Sequence, residues 1–201
     1  MKKFIVLSAL MILMAVAAIP GDIAHIPILF KESMVNLTVH NKKQAYDCRF
    51  KILSGNAVLG NHKFAGGNLE FDLNTMMITN ISDQKIRDSI VKLLKSDKFF
   101  NVAKYPKAEL QFMGSTFLRD ATEGADNYAV NANLTLAGLT DNVSFTIFAD
   151  INDNMVNLKC NFGFDRTKWK ITYMSSRFND DLGNREIFDI IDVKCILAFN
   201  K

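Results

Sequence analysis

The residue types that most often carry out chemistry are few in this chain and lie far apart. The three histidines and three cysteines are His25, His40, His62, Cys48, Cys160 and Cys195. No histidine stands at metal-ligand spacing from a cysteine, so the sequence predicts no metal site. His62 lies in a Gly-Asn-His-Lys turn, which is typical of a solvated loop, and no nucleophile stands beside a base as nucleophilic catalysis requires.

Carboxylates and glycines also give little sign of an enzyme. Asp189 and Asp192 are three residues apart in a predicted strand, so they point to opposite faces and cannot form an acid and base pair. Gly66 and Gly67 precede a strand, whereas a phosphate-binding loop follows a strand and opens a helix. The sequence therefore predicts a protein that is not an enzyme and has no cofactor.

The charge balance gives no sign of a nucleic-acid partner. The formal net charge is +3 over 201 residues, and two of the positive charges, Lys2 and Lys3, lie in a segment expected to be removed. Proteins that bind a phosphate backbone usually carry a large basic patch. With 49% hydrophobic and 22% charged residues, the composition is typical of a globular chain of one or at most two domains.

Apolar residues at every second position predict the elements that hold these side chains. The last two such runs are Leu158, Cys160, Phe162, Phe164 and Ile191, Val193, Cys195, Leu197, Phe199. Similar alternation in the earlier segments gives about eight antiparallel strands, each with one dry face. The predicted fold class is all-β with one or two short helices. An antiparallel barrel and a two-sheet sandwich both fit this pattern.

One segment changes to helical periodicity. Ser82 is the expected cap of a helix whose apolar positions are Ile86, Ile90, Leu93 and Leu94. A second cap at Ser96 opens a short turn that carries Phe99 and Phe100. Two adjacent phenylalanines after a cap most often plug the end of a core. In a hollow fold the same pair would form the floor or lid of a cavity.

All three cysteines fall on the apolar parity of their strands. A free cysteine in that position behaves as a small hydrophobic residue, so buried and inert thiols are favoured. One disulfide with one thiol left over also fits the odd count, and the sequence alone does not choose the pair.

The first 33 residues differ in character from the rest of the chain. Residues 1–19 carry Lys2 and Lys3, then an apolar run, then small residues, as a signal peptide does. The apolar run is shorter than the roughly 20 residues of a spanning helix. No cysteine near the cleavage site allows lipid attachment, so we expect a periplasmic or secreted protein. Residues 20–33, with Pro20 and Pro27, are expected to be a flexible lead-in.

Four short motifs follow one another along the chain: the sequence LKSDKFFNVAKYP at residues 94–106, the strand at residues 108–112, the sequence LTLAGLTDNV at residues 134–143, and DRTKW at residues 165–169 with Leu182-Gly183 and Ile187-Phe188-Asp189 after it. In this order they resemble the YceI family of exported, lipocalin-like proteins that bind polyisoprenoids. The resemblance covers nearly the whole chain from about Cys48. It implies a single YceI-like, lipocalin-like β-barrel domain over residues 34–201.

The resemblance also implies a ligand, a polyisoprenoid or similar fatty amphiphile held in the apolar interior. The residues expected to line the interior are Phe71, Phe99, Phe100, Leu110, Phe112, Leu134, Leu136, Phe145, Ile147, Phe162 and Val193. Arg166 and Lys168 are the candidates for a polar head group. Their alternative role is structural, with Asp165 and Arg166 paired to neighbouring residues to hold a bend after Phe164.

A second interpretation of the same pattern is a barrel with a filled core, because a solid interior gives identical alternation. Such a protein would act through its surface as an envelope stress or interaction protein. Phe148 and Ile196 lie off the dry parity, and Phe178 lies in the segment between the last two apolar runs, so these three are candidates for an exposed apolar patch. The sequence also leaves open whether the protein forms a homodimer.

The chain departs from the family pattern at several positions. Residues 37–48 lack the early tryptophan and glycine elements, and Tyr46 stands where the family has a histidine. Lys170 and Met174 stand where glycines are usual. The barrel is expected to tolerate these changes, which fall near its rims.

Overall fold

The computed structural model describes residues 22–201. The expected signal peptide at residues 1–19 lies outside the described residues. The described chain forms nine β-strands and one α-helix: β1 Ile23–Pro27, β2 Met34–Asn41, β3 Ala45–Gly60, β4 Lys63–Ile78, α1 Gln84–Lys95, β5 Lys107–Phe117, β6 Tyr128–Leu136, β7 Leu139–Ile151, β8 Met155–Asp165 and β9 Ile187–Asn200. Three short 3-10 segments occupy Phe30–Glu32, Arg166–Trp169 and Gly183–Arg185.

Eight of the strands close into one antiparallel barrel. Their order is β3, β2, β9, β8, β7, β6, β5 and β4, and β4 pairs back with β3 to complete the ring. The predicted all-β antiparallel barrel is therefore confirmed, and the two-sheet sandwich is not what this chain forms. Each strand places its apolar parity inward, so the core is one continuous cluster inside the ring.

The described part of the lead-in expected at residues 20–33 forms regular structure, which corrects that expectation from residue 22 onward. β1 pairs with residues 56–60 of β3, and Ile26 and Ile28 are buried in the core. Pro27 is exposed at the end of an edge strand, where its missing N–H group costs no ladder hydrogen bond. The alternation of Ile26 with Ile28 was the signal for this strand, and the flanking prolines obscured it.

The helix and the turn after it lie where the sequence predicted them, with one change at the cap. The cap is Asp83 rather than Ser82, and its carboxylate accepts a hydrogen bond from the backbone N–H of Ile86 at 3.0 Å. Leu94 is buried, and the turn that follows buries Phe99 and Phe100 edge to face, with ring centroids 4.8 Å apart.

Candidate functional site

The centre of the barrel contains a narrow apolar space, which we name the interior slot. Its lining consists of fourteen residues with apolar or thiol side chains: Val35, Leu37, Phe50, Phe71, Leu73, Phe100, Ala108, Leu110, Leu134, Leu136, Phe162, Phe164, Val193 and Cys195. The slot has a volume of about 40 Å³. Since one water needs roughly 10 Å³ or more of such space, the slot has room for only a few small molecules until side chains move.

Seven of the eleven predicted lining residues do line the interior slot. They are Phe71, Phe100, Leu110, Leu134, Leu136, Phe162 and Val193. The other four are Phe99, Phe112, Phe145 and Ile147. Phe112 packs edge to face with Phe64, with ring centroids 5.5 Å apart, and Ile147 is buried outside the slot lining. Strand parity indicates the inward face, but it does not indicate the height of a residue along the barrel axis.

The sequence prediction missed half of the lining. The missed residues are Val35, Leu37, Phe50, Leu73, Ala108, Phe164 and Cys195. Several of them share the parity of a residue that was predicted, as Phe164 does with Phe162 and Cys195 with Val193. The inward parity of each strand, followed over its full length, predicts these residues. Val35 and Leu37 come from β2, whose partner β9 is far away in sequence.

The barrel wall is interrupted on one side of β3. Residues 45–49 of β3 pair with β2 and residues 56–60 pair with β1, and the carbonyl of Gly55 accepts from the N–H of Ile28 at 3.1 Å, so residues 50–54 are left without a described partner strand on this side. The gap leads to a cavity of about 420 Å³. We name it the wall opening, and its lining consists of Phe30, Lys31, Ser33, Met34, Val35, Arg49, Phe50, Lys51 and Ile52.

A second separation occurs between β7 and β8. The two strands pair only from Ile147 opposite Cys160 to Ile151 opposite Val156. Beyond that point the inward rings of Phe145 and Phe162 stack face to face, with centroids 3.9 Å apart and planes 9° apart. Both rings are only half-buried, so an aromatic stack rather than backbone pairing fills the wall there.

Arg166, one of the two head-group candidates, is completely buried. Its guanidinium donates to the backbone carbonyls of Phe188, Ile171 and Ile187 over 3.1, 2.6 and 2.8 Å. Its Nη2 atom also lies 3.2 Å from Oδ1 of Asp189. The N–H groups of the Arg166 guanidinium are therefore engaged by acceptors of the chain itself.

The residues around Arg166 form a compact ion-pair network. Arg177 bridges two carboxylates, with Nη1 2.7 Å from Oδ2 of Asp165 and Nε 3.2 Å from Oδ2 of Asp189. Burial acts to raise the pKa of Asp165, but hydrogen bonds from Thr167 and Arg177 outweigh it, so that pKa lies below its usual value. Lys168, the other head-group candidate, is exposed and has no ion-pair partner among residues 22–201.

The three cysteines are buried free thiols in this structure. Burial raises the pKa of Cys48 to about 12, with the nearby charge of Asp47 adding to the effect. Cys160 and Cys195 stand directly opposite each other in the β8 and β9 register. A hydrogen bond with Cys160 and burial raise the pKa of Cys195 well above its usual value.

The region that departs from the family pattern borders a cavity of about 180 Å³ between β2, α1 and the segment before β9. The hydroxyl of Tyr46 lies at this cavity and accepts a hydrogen bond from Nδ2 of Asn41 at 3.1 Å. Tyr46 therefore fixes the β2 to β3 turn at this rim.

Residues 22–201 contain no cluster of three or more potential metal ligands. None of their helices is long and apolar enough to cross a membrane.

Comparison with known proteins gives a consistent result. The chain matches the family described as the YceI-like domain over residues 28–196. Its fold is similar to that of BcnA from Burkholderia cenocepacia, at 16% identity and a TM-score of 0.64, covering 85% of this chain and 98% of that one. It is also similar to a polyisoprenoid binding domain from Saccharophagus degradans, at 14% identity and a TM-score of 0.61, covering 89% and 99%. No curated protein sequence matches the chain.

Proposed function

Because this chain belongs to the YceI-like domain family, we propose that it binds a polyisoprenoid or a similar amphiphilic lipid in the interior slot of its barrel. The observation that carries this proposal is the composition of the slot lining, which contains no charged, hydroxyl or amide side chain. Such a lining offers a ligand one thing, the removal of apolar surface from water, at roughly 25 cal/mol per Å². A prenyl chain is apolar along its whole length and suits that lining.

The small volume of the slot means that binding requires side chains to move. Phe50 and Phe162 line the slot and are only half-buried, and each stands at a break in strand pairing. Rotation of these two rings would lengthen the slot toward the two breaks without disturbing the ladder of the other strands. The bound lipid would then replace the contacts that the rings give up.

The apolar lining also supports binding rather than catalysis as the role of this site. A reaction needs a nucleophile, an acid or a base within reach of the substrate. The thiols of Cys48 and Cys195 have raised pKa values, so neither is a ready nucleophile. We therefore infer a carrier or storage role, with no cofactor beyond the bound lipid.

We further propose that the protein is exported to the periplasm or beyond, on the basis of the signal-peptide pattern at residues 1–19. The same experiment tests export and cargo. The protein is purified from the envelope of its host and its mass is measured by native mass spectrometry, before and after unfolding. We expect a mature chain shortened by about 19 residues, with a prenyl-type mass released on unfolding.

A protein that carries no lipid and also ignores added polyprenol would contradict the lipid-binding proposal. A chain of full length in the envelope fraction would contradict cleavage. The native mass also reports whether the protein is a monomer or a homodimer, which the sequence left open.

A second experiment addresses the slot itself. Leu110 lines the slot, whereas its neighbour Gln111 points outward and is exposed. Leu110→Trp should fill the slot and lower polyprenol uptake several-fold, at a stability cost of about 1–3 kcal/mol from overpacking. Gln111→Trp is the matched control and should bind like the parent protein. Equal uptake by a folded Leu110→Trp variant would show that the lipid lies elsewhere.

Two observations favour the second candidate function, an interaction protein with a filled core. The slot holds only about 40 Å³, and Phe178 is 59% exposed near the ion-pair network. Ile196 is 36% exposed, whereas the ring of Phe148 is covered by Nζ of Lys159 at 5.7 Å. If the native mass spectrum shows a lipid-free chain with a bound protein partner that Phe178→Ser abolishes, this second function is the correct one.

A further inference from the structure

We propose that the wall opening is the port through which a lipid tail reaches the interior slot, and that Lys31, Arg49 and Lys51 hold an anionic head group at its mouth. The proposal rests on the proposed lipid-binding function. It narrows the ligand to an amphiphile that joins a long apolar chain to a phosphate or carboxylate. It also assigns the head-group role to residues other than Arg166 and Lys168.

The wall opening exists because the strand beside β3 is interrupted. β1 and β2 run along the same side of β3, but the segment between them is drawn toward β9 instead. The backbone N–H of Leu29 donates to the carbonyl of Ala198 at 2.8 Å, and the N–H of Ala198 donates to Oγ of Ser33 at 3.0 Å. These bonds hold residues 29–33 away from residues 50–54 of β3 and keep the gap open.

The opening and the interior slot are adjacent and share two side chains. Val35 and Phe50 line both spaces. Val35 is buried, whereas Phe50 is half-buried and meets the slot residue Phe71 edge to face, with ring centroids 5.4 Å apart. Rotation of the single ring of Phe50 would therefore join a cavity of about 420 Å³ to the slot.

The charged side chains that line the opening all have the same sign. Lys31, Arg49 and Lys51 are exposed and line it, and the lining includes no carboxylate. Within residues 22–201 none of the three takes part in an ion pair. Arg49 uses Nε to donate to Oδ1 of Asn36 at 3.2 Å, which leaves the terminal nitrogens of its guanidinium available.

The remaining lining suits an amphiphile rather than a soluble anion. Phe30, at 53% exposure, and Met34 lie beside the cations, so the mouth combines apolar surface with positive charge. An anionic head group would be held at the charged mouth while its chain passes Phe50 into the slot. Polyprenyl phosphates and fatty acids both have this chemistry.

The test compares three lipids on four proteins by a direct binding assay in low salt. The lipids are a polyprenyl phosphate, the neutral polyprenol of the same length, and a long-chain fatty acid. The proteins are the parent chain, the triple variant Lys31→Glu/Arg49→Glu/Lys51→Glu, a matched control Lys43→Glu/Lys85→Glu/Lys92→Glu, and Phe50→Trp. The control changes the net charge equally through three exposed lysines that do not line the opening.

We expect the triple variant to bind the polyprenyl phosphate on the order of tenfold more weakly, or worse, while its affinity for the neutral polyprenol is unchanged. The matched control should bind both like the parent. Phe50→Trp should slow the uptake of both lipids. The parent's preference between polyprenyl phosphate and fatty acid then identifies the source of the anionic ligand.

If the triple variant binds the charged and the neutral lipid equally more weakly than the parent, or binds both as tightly as the parent does, the head-group site is overturned while lipid binding remains in place. Failure of the parent to bind any of the three lipids would instead contradict the proposed function. If the triple variant does not fold, the parent's salt dependence decides. Its affinity for the phosphate lipid should fall between 50 and about 500 mM salt while that for polyprenol does not, and equal salt dependence would overturn the site.

Discussion

Arg166 is a buried cation whose partners all belong to the chain. Three backbone carbonyls and the carboxylate of Asp189 surround its guanidinium, which ties the 3-10 segment Arg166–Trp169 to the start of β9. This arrangement matches the structural alternative weighed for the DRTKW motif, in which Arg166 holds the bend after Phe164.

Removal of Arg166 should therefore damage stability. Arg166→Ala leaves three carbonyls and part of a buried carboxylate without partners, so the free energy of unfolding should fall by about 3 kcal/mol or more. Lys168→Ala removes an exposed cation two residues away and should change the free energy of unfolding by less than about 0.5 kcal/mol. Urea unfolding of both variants gives the measurement. A fully stable Arg166→Ala variant with reduced lipid affinity would restore Arg166 as a head-group residue.

The cysteines give a prediction with a pH dependence. Because burial raises the pKa of Cys48 to about 12, only about one molecule in 10⁴ carries its thiolate at pH 8, and the thiolate is the reactive form. Iodoacetamide at pH 8 should leave the native protein unlabelled and add three labels in urea with reductant. The labelling rate of the native protein should rise steeply as the pH increases toward 12.

The same experiment decides the disulfide question that the sequence left open. Unfolding without reductant should still give three labels, since the structure has three free thiols. A single label would show that two of the three thiols have become joined, and we expect that pair to be Cys160 and Cys195, which face each other in the strand register.

At the scale of elements, β1 is anchored to the core by two buried side chains, Ile26 within the strand and Ile28 just after it. Ile26 is 6% exposed, whereas Ile23 is 65% exposed at the other end of the same strand. Ile26→Ala should lower the free energy of unfolding by about 2–4 kcal/mol through the cavity it leaves. Ile23→Ala is the control and should have an effect within about 0.5 kcal/mol.

If Ile26→Ala were as mild as the control, the pairing of β1 with β3 would be too weak to matter, and the segment would behave as the lead-in that its prolines suggested. Amide hydrogen exchange of β1 in the parent protein provides an independent check, because a paired strand is protected.

The connection between β8 and β9 shows what a departure from a family pattern costs. Lys170 and Met174 stand where the family usually has glycines, and both adopt a left-handed backbone with φ of 59° and 55°. The glycine positions were therefore real constraints on the backbone, and this chain meets them with strained non-glycine residues. The Asp165 to Asp189 ion-pair network holds the segment in place despite that strain.

At the scale of the whole molecule, the all-β antiparallel fold could be predicted because most strands alternate apolar and polar residues, and the resemblance to the YceI family then favoured a barrel over a two-sheet sandwich. What could not be predicted was long-range geometry. The wall opening depends on which strand stops pairing with β3 and where, and Val35 and Phe50 meet there from separate elements. Local periodicity carries no information about which distant residues come together, so the sequence did not predict Lys31, Arg49 and Lys51 as head-group candidates.

A closed barrel that holds a lipid should unfold at a higher temperature when loaded. At a free lipid concentration of 100 times its dissociation constant, the gain is about 2.7 kcal/mol, which for a domain of this size raises Tm by about 5–10 °C. Differential scanning calorimetry with and without polyprenol measures the shift. Leu110→Trp should show a much smaller shift, and a full shift in that variant would contradict the slot.

The ring of strands also sets when the protein can fold. β2 lies between β3 and β9, and Ser33 is bonded to Ala198 across 165 residues of chain. Until the ribosome has released the last strand, β2 lacks one of its two neighbours and the apolar faces have no closed interior to enter. Contacts so distant in sequence favour slow folding, in milliseconds to seconds. The barrel therefore cannot close until synthesis is complete, and until then the apolar faces of its strands are open to chaperones.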